Sequence, residues 1–278
     1  HRFAWNTDYY IDHLIIEPTA SLEPFYPPSG IRSTPITIHG HITNHGSIHE
    51  RVVPRVSGNF HNHDVFLGSF AILGGSEAQS FSGLEASRAV VTEDFTLQGL
   101  LSVAELHGNG HVISSDPLSR IETSSLINGL HAEHTDVIMH GSGTIRAGTD
   151  ATEDVIIARS LVIDGNMTTY MEDFFTDWFI INPGAKLSNN LSIWRPLYIH
   201  GNYLNNGEHH GRHHIRVYKN ILPGQGSFLG PTLGVAWPHT PDATYDLALG
   251  SNQESPEDLS IQTTGASFTQ DTTDPRNL

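Results

Sequence analysis

The feature that most constrains this chain is an eleven-residue unit that occurs twice without gaps. Ile36-Thr37-Ile38-His39-Gly40-His41-Ile42-Thr43-Asn44-His45-Gly46 aligns on Leu197-Tyr198-Ile199-His200-Gly201-Asn202-Tyr203-Leu204-Asn205-Asn206-Gly207. Shorter versions stand at Leu161–Gly165 and Val137–Gly141, with a looser one at Phe95–Gly99. Alternation has a direct physical meaning in an extended chain, where residues i and i+2 share a face. Two apolar side chains point inward, a polar one points out, and glycine turns the chain at a corner. A second short strand follows, and an Asn–Gly type corner turns it again.

Elsewhere, short apolar or alternating runs end in Gly, Asn or Asp, the pattern of strands and turns. Such runs are Val65–Ala71, Phe95–Val103, Val137–Ile145, Asp154–Ile163 and Leu191–Ile199. Helical spacing is hard to find. The best stretch is Thr169–Ile181, which also reads as strand because it is rich in aromatics and closed by Pro183. The repeat glycines are unevenly spaced, which fits coils of about 20 residues with insertions better than the even blades of a propeller. The expected fold is therefore all-β: an irregular parallel β-solenoid (β-helix), with a β-sandwich or jelly roll as the alternative.

The paired units resemble the repeat of large bacterial surface and secreted right-handed β-helix proteins, in which Φ-x-Φ-x-Gly-Asn-Φ-x-Asn-x-Gly recurs. The likeness covers two full units and about three partial ones, a minority of the chain. It implies an exported scaffold of filament or adhesin type. It implies no particular activity, because that architecture hosts adhesins, filament subunits and polysaccharide-cleaving enzymes alike.

The ends differ from the middle. Residues 1–29 are expected to form an extended N-terminal arm carrying Phe3, Trp5, Tyr9, Ile11, Leu14 and Ile16 ahead of the prolines at 24, 27 and 28. Such an arm suits an edge strand or a strand donated to a neighbour. Residues 30–237 form the solenoid body. Residues 238–278 form a C-terminal tail rich in Thr, Ser, Asp and Pro, of a composition that alone would be disordered.

Composition narrows the partners. With 14 basic and 30 acidic residues the formal charge is −16, which repels phosphate backbones and argues against nucleic acid. Lys186 and Lys219 are the only lysines, so no polybasic membrane patch exists, and no apolar run is long enough to span a bilayer. Full protonation of the 19 histidines would carry the charge to about +3. Cysteine is absent, which removes disulfides and thiolate sites. The chain opens on His1 rather than Met, as it would after removal of an export signal or by truncation; the former is favoured, and the expected location is extracellular or on the cell surface.

No complete catalytic signature is present. The densest histidine cluster runs from Glu208 to His214, and on a strand His209 and His213 would share one face as weak metal candidates. Zincin spacing is missing around them. His39, His41, His45, His49, His61 and His63 fit an exposed ladder better than a ligand set. His1 could chelate copper through its amine and ring, as in copper polysaccharide monooxygenases, which the chain otherwise does not resemble. Two acidic clusters, Asp150/Glu153/Asp154 and Glu172/Asp173/Asp177, could serve as glycosidase carboxylates or as oxygen ligands for calcium. Arg120, Arg146, Arg159 and Arg195 are available as lyase-type bases without a motif around them. Calcium or a histidine-bound transition metal stays open as a cofactor. Asn166-Met167-Thr168 and Asn190-Leu191-Ser192 are glycosylation sequons.

Two functions follow as expectations. The first is a structural subunit of an extracellular filament, sheath or adhesive fibre that self-assembles by exchange of the terminal arm. Its partner is then a second copy of the chain. The second is a carbohydrate-active enzyme or binding module on the same scaffold. There Trp178, Trp194 and Trp237 would stack on sugar rings, although large rings more often belong to the core.

Overall fold

The computed structural model describes residues 8–23, 34–64, 66–146, 155–171, 173–190, 197–211, 215–222, 225–229, 232–236, 245–249, 259–263 and 267–271. Among them there is no helix, and the strands as far as Thr232–Ala236 stack in parallel as a β-solenoid. The alternation that marks strands in the sequence also selects which residues stack. Ile38, Val56, Ile72 and Val91 occupy one inward column on successive coils. Leu101, Ile121, Val137, Leu161, Phe179, Tyr203 and Ile221 form another. A one-residue slip would turn either column outward, so burial fixes the register. Each fully buried Ile, Leu, Val or Phe contributes about 1.5–3 kcal/mol relative to exposure.

Both repeat units fold as strand, corner, strand, corner. The first supplies Thr34–Ile38, His41–Asn44 and Ser47–Ile48, and the second Leu197–Ile199, Asn202–Asn205 and Glu208–Gly211. Their second corners are built alike: the Asn44 side-chain oxygen accepts the Gly46 N–H at 3.2 Å, and that of Asn205 accepts the Gly207 N–H at 3.0 Å. Asn44 also donates to the Asn62 side-chain oxygen at 2.6 Å, and Asn62 to the Gly83 carbonyl at 2.9 Å. These rungs tie corner to corner across residues 18 and 21 apart in the chain.

The first glycine of each unit has a different reason from the one its turn suggests. A Cβ at Gly40 would overlap the Ile11 and Asp12 carbonyls, and one at Gly201 the Thr176 carbonyl. Glycine is needed there because the backbone of the preceding coil passes too close for any side chain. Gly99 and Gly141 are the conventional case, with φ of +79° and +69°.

Several expected strands are re-bounded. The 65–71 run yields Ser69–Ile72, the 95–103 run splits into Phe95–Leu97 and Leu100–His107, and the 137–145 run extends into Leu130–Arg146. The run from 154 becomes Val155–Thr169, and only Leu197–Ile199 of 191–199 is a described strand. The ambiguous stretch around 169–181 is strand, Asp173–Ile181.

The described part of the N-terminal segment is itself a coil. Asp8–Tyr9, His13–Ile16 and Ser21–Leu22 pair in parallel with Thr34–Ile38, His41–Asn44 and Ser47–Ile48. Tyr9 lies in the first of these strands, Ile16 is buried, and Ile11 and Leu14 pack against the core. Phe3 and Trp5 lie outside the described residues. Within the C-terminal segment, Ser267–Asp271 pairs antiparallel with Thr232–Ala236, and Tyr245–Leu249 with Leu259–Thr263. The composition that alone suggested disorder therefore contains strands. Among the described residues no helix is long and apolar enough to cross a membrane.

Candidate functional site

The most distinctive outer surface lies on the coils containing Asp173–Ile181, Leu197–Ile199 and Ile215–Val217. Alternation on Asp173–Ile181 buries Phe174, Thr176 and Phe179 and turns Asp173, Phe175, Asp177 and Trp178 outward. Parallel pairing places Asp173 beside Tyr198 and Phe174 beside Ile199, so the next outward residues, Phe175 and His200, meet. Their rings stack at 4.0 Å with 5° between planes, and His200 stacks in turn on Tyr218 at 4.5 Å and 7°. His200 Nε2 lies 3.0 Å from Asp173 Oδ1, which orients the imidazole within the stack.

Around the corner, Trp178 sits in register between Ser160 and Asn202. Neither neighbour has a ring to cover the indole, whereas His200 is covered on both faces. Asn202 Nδ2 donates to the Asp177 carbonyl at 2.9 Å, and Asn220 Nδ2 to Asn202 Oδ1 at 2.8 Å. Lys219 Nζ donates to Asp177 Oδ1 at 3.2 Å. Tyr170, Phe175 and Trp178 are 45%, 41% and 39% exposed, so three of the large exposed hydrophobics fall within one coil. Trp178, expected in the core as large rings usually are, is a surface residue because the strand alternates Phe179 inward in its place.

The histidine candidates scatter. His209 is fully buried, in register with Leu187 and Phe228, and the Tyr203 hydroxyl lies 2.7 Å from its Nδ1. Burial pushes the His209 imidazole down to about 3 and the Tyr203 hydroxyl upward, so both are neutral and serve as a polar pair inside the core. His213 lies outside the described residues. Among the described residues no group of three or more His, Asp or Glu is arranged to hold a metal ion.

The other candidates have mostly structural employment. Arg159 donates through Nε and Nη2 to the two Asp136 carboxylate oxygens at 2.8 and 2.5 Å. That bidentate pair, with Ser160 donating to Asp136 Oδ1, holds the Asp136 carboxyl below its ordinary value. Arg120 pairs with Glu122 at 3.0 Å, and Arg146 ends the strand Leu130–Arg146 on the surface. Arg195, the acids at 150, 153, 154 and 172, and Trp194 and Trp237 lie outside the described residues. Sequence reasoning missed the Phe175–His200–Tyr218 column. Its residues stand 25 and 18 apart (200 − 175 and 218 − 200), so no constant period in the sequence could have found it.

No family model, curated protein or solved structure matches the chain.

Proposed function

We propose that this chain is a structural β-solenoid that holds an extended, uncharged polysaccharide at the corner between the Phe175–His200–Tyr218 column and Trp178. The observation that carries this reading is the exposure of Phe175 and Trp178 on the strand Asp173–Ile181, beside hydrogen-bonding amides and carboxylates. An indole with an open face gains by stacking on the apolar face of a sugar, and Asn202, Asn220 and Asp177 supply donors and acceptors for hydroxyls. Neighbouring strands lie ~4.8 Å apart, a pitch close to the advance of one pyranose in an extended chain. A net charge of −16 favours a neutral glycan over an acidic one. Extracellular polysaccharide is the setting this reading implies. Affinity electrophoresis in gels containing dissolved polysaccharide, with Trp178→Ala beside the wild type, tests it.

Self-association is a second reading, favoured by the exposure of Tyr10 (80%) and Ile15 (52%) on the coil that holds His13–Ile16. This strand is an edge of its four-stranded sheet, and apolar edges invite pairing with another copy. Sedimentation velocity is expected to show an assembly that the double variant Tyr10→Ser, Ile15→Lys reduces to the 30.5 kDa monomer. Wild-type protein sedimenting as that monomer would contradict the second reading.

A further inference from the structure

Most of the described histidines of this solenoid fall into two populations along its length. On the coils of residues 13–63, His13, His41, His45, His49, His61 and His63 meet one another, hydroxyls or backbone N–H groups, and His39 stacks on Tyr10. His45 and His63 stack at 4.4 Å with 7° between planes, and His13 meets His41 edge-on at 6.0 Å. His13 Nε2 is 2.7 Å from Thr43 Oγ1, and His61 Nδ1 is 2.9 Å from Ser82 Oγ. His41 Nδ1 accepts the Asn59 backbone N–H at 2.8 Å, a role that only a ring unprotonated at that nitrogen can fill. On the later coils five histidines meet carboxylates instead. The pairs are His107–Glu105 (2.6 Å), His111–Asp94 (3.4 Å), His140–Asp164 (3.2 Å), His200–Asp173 (3.0 Å) and His210–Glu208 (2.8 Å).

We infer that mild acid acts on the two ends in opposite senses, loosening the coils of residues 13–63 while the carboxylate-paired coils beyond residue 90 hold. Protonating both rings of such an imidazole pair, stacked or edge-on, places two like charges about 4–6 Å apart, well inside the screening length of roughly 8 Å at physiological salt. Protonating His41 at Nδ1 sets a donor against the Asn59 N–H. Protonating a histidine beside a carboxylate forms an ion pair.

The groups facing the histidine surface are consistent with that direction. The outward residues on His13–Ile16, His41–Asn44, Phe60–Asn62 and Phe81–Ser82 are His13, Ile15, His41, Thr43, His61 and Ser82, none of them acidic. Acids stand at its margins. Glu17 and Asp64 follow two of these strands, and Asp12 and Glu77 line a cleft of about 420 Å³ that His41 borders together with His39. His61 senses the histidines rather than these acids: burial first, then the charges of His63, His41 and His13, lower it from 6.5. A folded state that resists a proton which the open chain accepts loses stability as pH falls below about 6.5. The fall in net negative charge on acidification acts more diffusely and does not offset a contact inside the stack.

Amide hydrogen exchange on the full chain at about pH 7.5 and about pH 5, corrected for intrinsic rates, tests the inference. Protection over residues 36–62 should fall at least roughly tenfold, while that over residues 156–181 should not fall. The double variant His61→Gln, His63→Gln should reduce the loss over 36–62. Should that variant fail to fold, nuclear magnetic resonance titration of the wild-type imidazoles decides instead, with His61 expected to titrate below 6.5. Uniform loosening of both regions, unchanged protection over 36–62, or His61 titrating at or above 6.5 would overturn the inference.

Discussion

Phe60→Ala is expected to lower the stability of the chain by about 3–5 kcal/mol, the cost of removing a large buried ring and leaving a cavity. Phe60 has no exposed surface and lies between Ile42 and Phe81 in its inward column. Its ring meets Phe66 at 5.6 Å and Phe70 edge-on at 5.4 Å, and Phe70 leads on to Phe81 at 6.0 Å. Removing the central ring therefore strips contacts from three coils at once. Because domains of this kind are stable by only about 5–15 kcal/mol, the loss should be plain in the midpoint of a denaturant melt. Phe175→Ala, which removes a ring 41% exposed on the outer face, is the matched control. It should cost no more than about 1.5 kcal/mol, the value of one aromatic contact. Equal losses for the two variants would mean that the columns do not carry the fold.

Gly201→Val is expected to be as damaging for a different reason. The added Cβ would run into the Thr176 carbonyl, which is backbone of the preceding coil and has no rotamer to yield. The coils must part, at an overpacking cost of about 1–3 kcal/mol. Each backbone hydrogen bond lost between the adjoining strands adds about 0.5–1.5 kcal/mol. Gly99→Ala is the informative comparison. Its φ of +79° is unfavourable for a side chain, but a Cβ there meets nothing within 4 Å. That variant should cost only about 1–2 kcal/mol, the price of a left-handed residue. Thermal melts of the two variants separate steric glycine from conformational glycine. Equal destabilisation would contradict the close approach of the coils at Gly201.

The scaffold was legible in the sequence because its rule is local. Ile36, Ile38, Ile42 and Asn44 state by spacing alone which side chains face inward and where a corner falls. Their equivalents Leu197, Ile199, Tyr203 and Asn205 say the same thing again. What lay beyond reach depends on the neighbouring coil. Nothing in the unit Leu197–Gly207 tells that Gly201 is small to admit the Thr176 carbonyl, because that oxygen comes from another coil. His209 reads as a ligand within its cluster, yet the register sets it beside Leu187 and Phe228, inside the core. The outer column of Phe175, His200 and Tyr218 joins residues separated by insertions of unequal length, so period could not align them. Leu14 and Ile16 are apolar and alternating whether a strand is donated or kept, and their pairing with Ile42 and Asn44 makes them part of a coil.

The proposal that the outer aromatic face holds a neutral glycan is tested most directly by electrophoretic mobility in native gels. The gels contain a neutral β-linked glucan, a neutral xylan or an acidic polygalacturonate. The wild-type chain should be retarded by at least one neutral polymer and not by the acidic one. Trp178→Ala should migrate as though the polymer were absent while keeping the wild-type β-sheet circular dichroism. Retardation that survives Trp178→Ala, or mobility unchanged in every polymer, would contradict a binding face centred on Trp178.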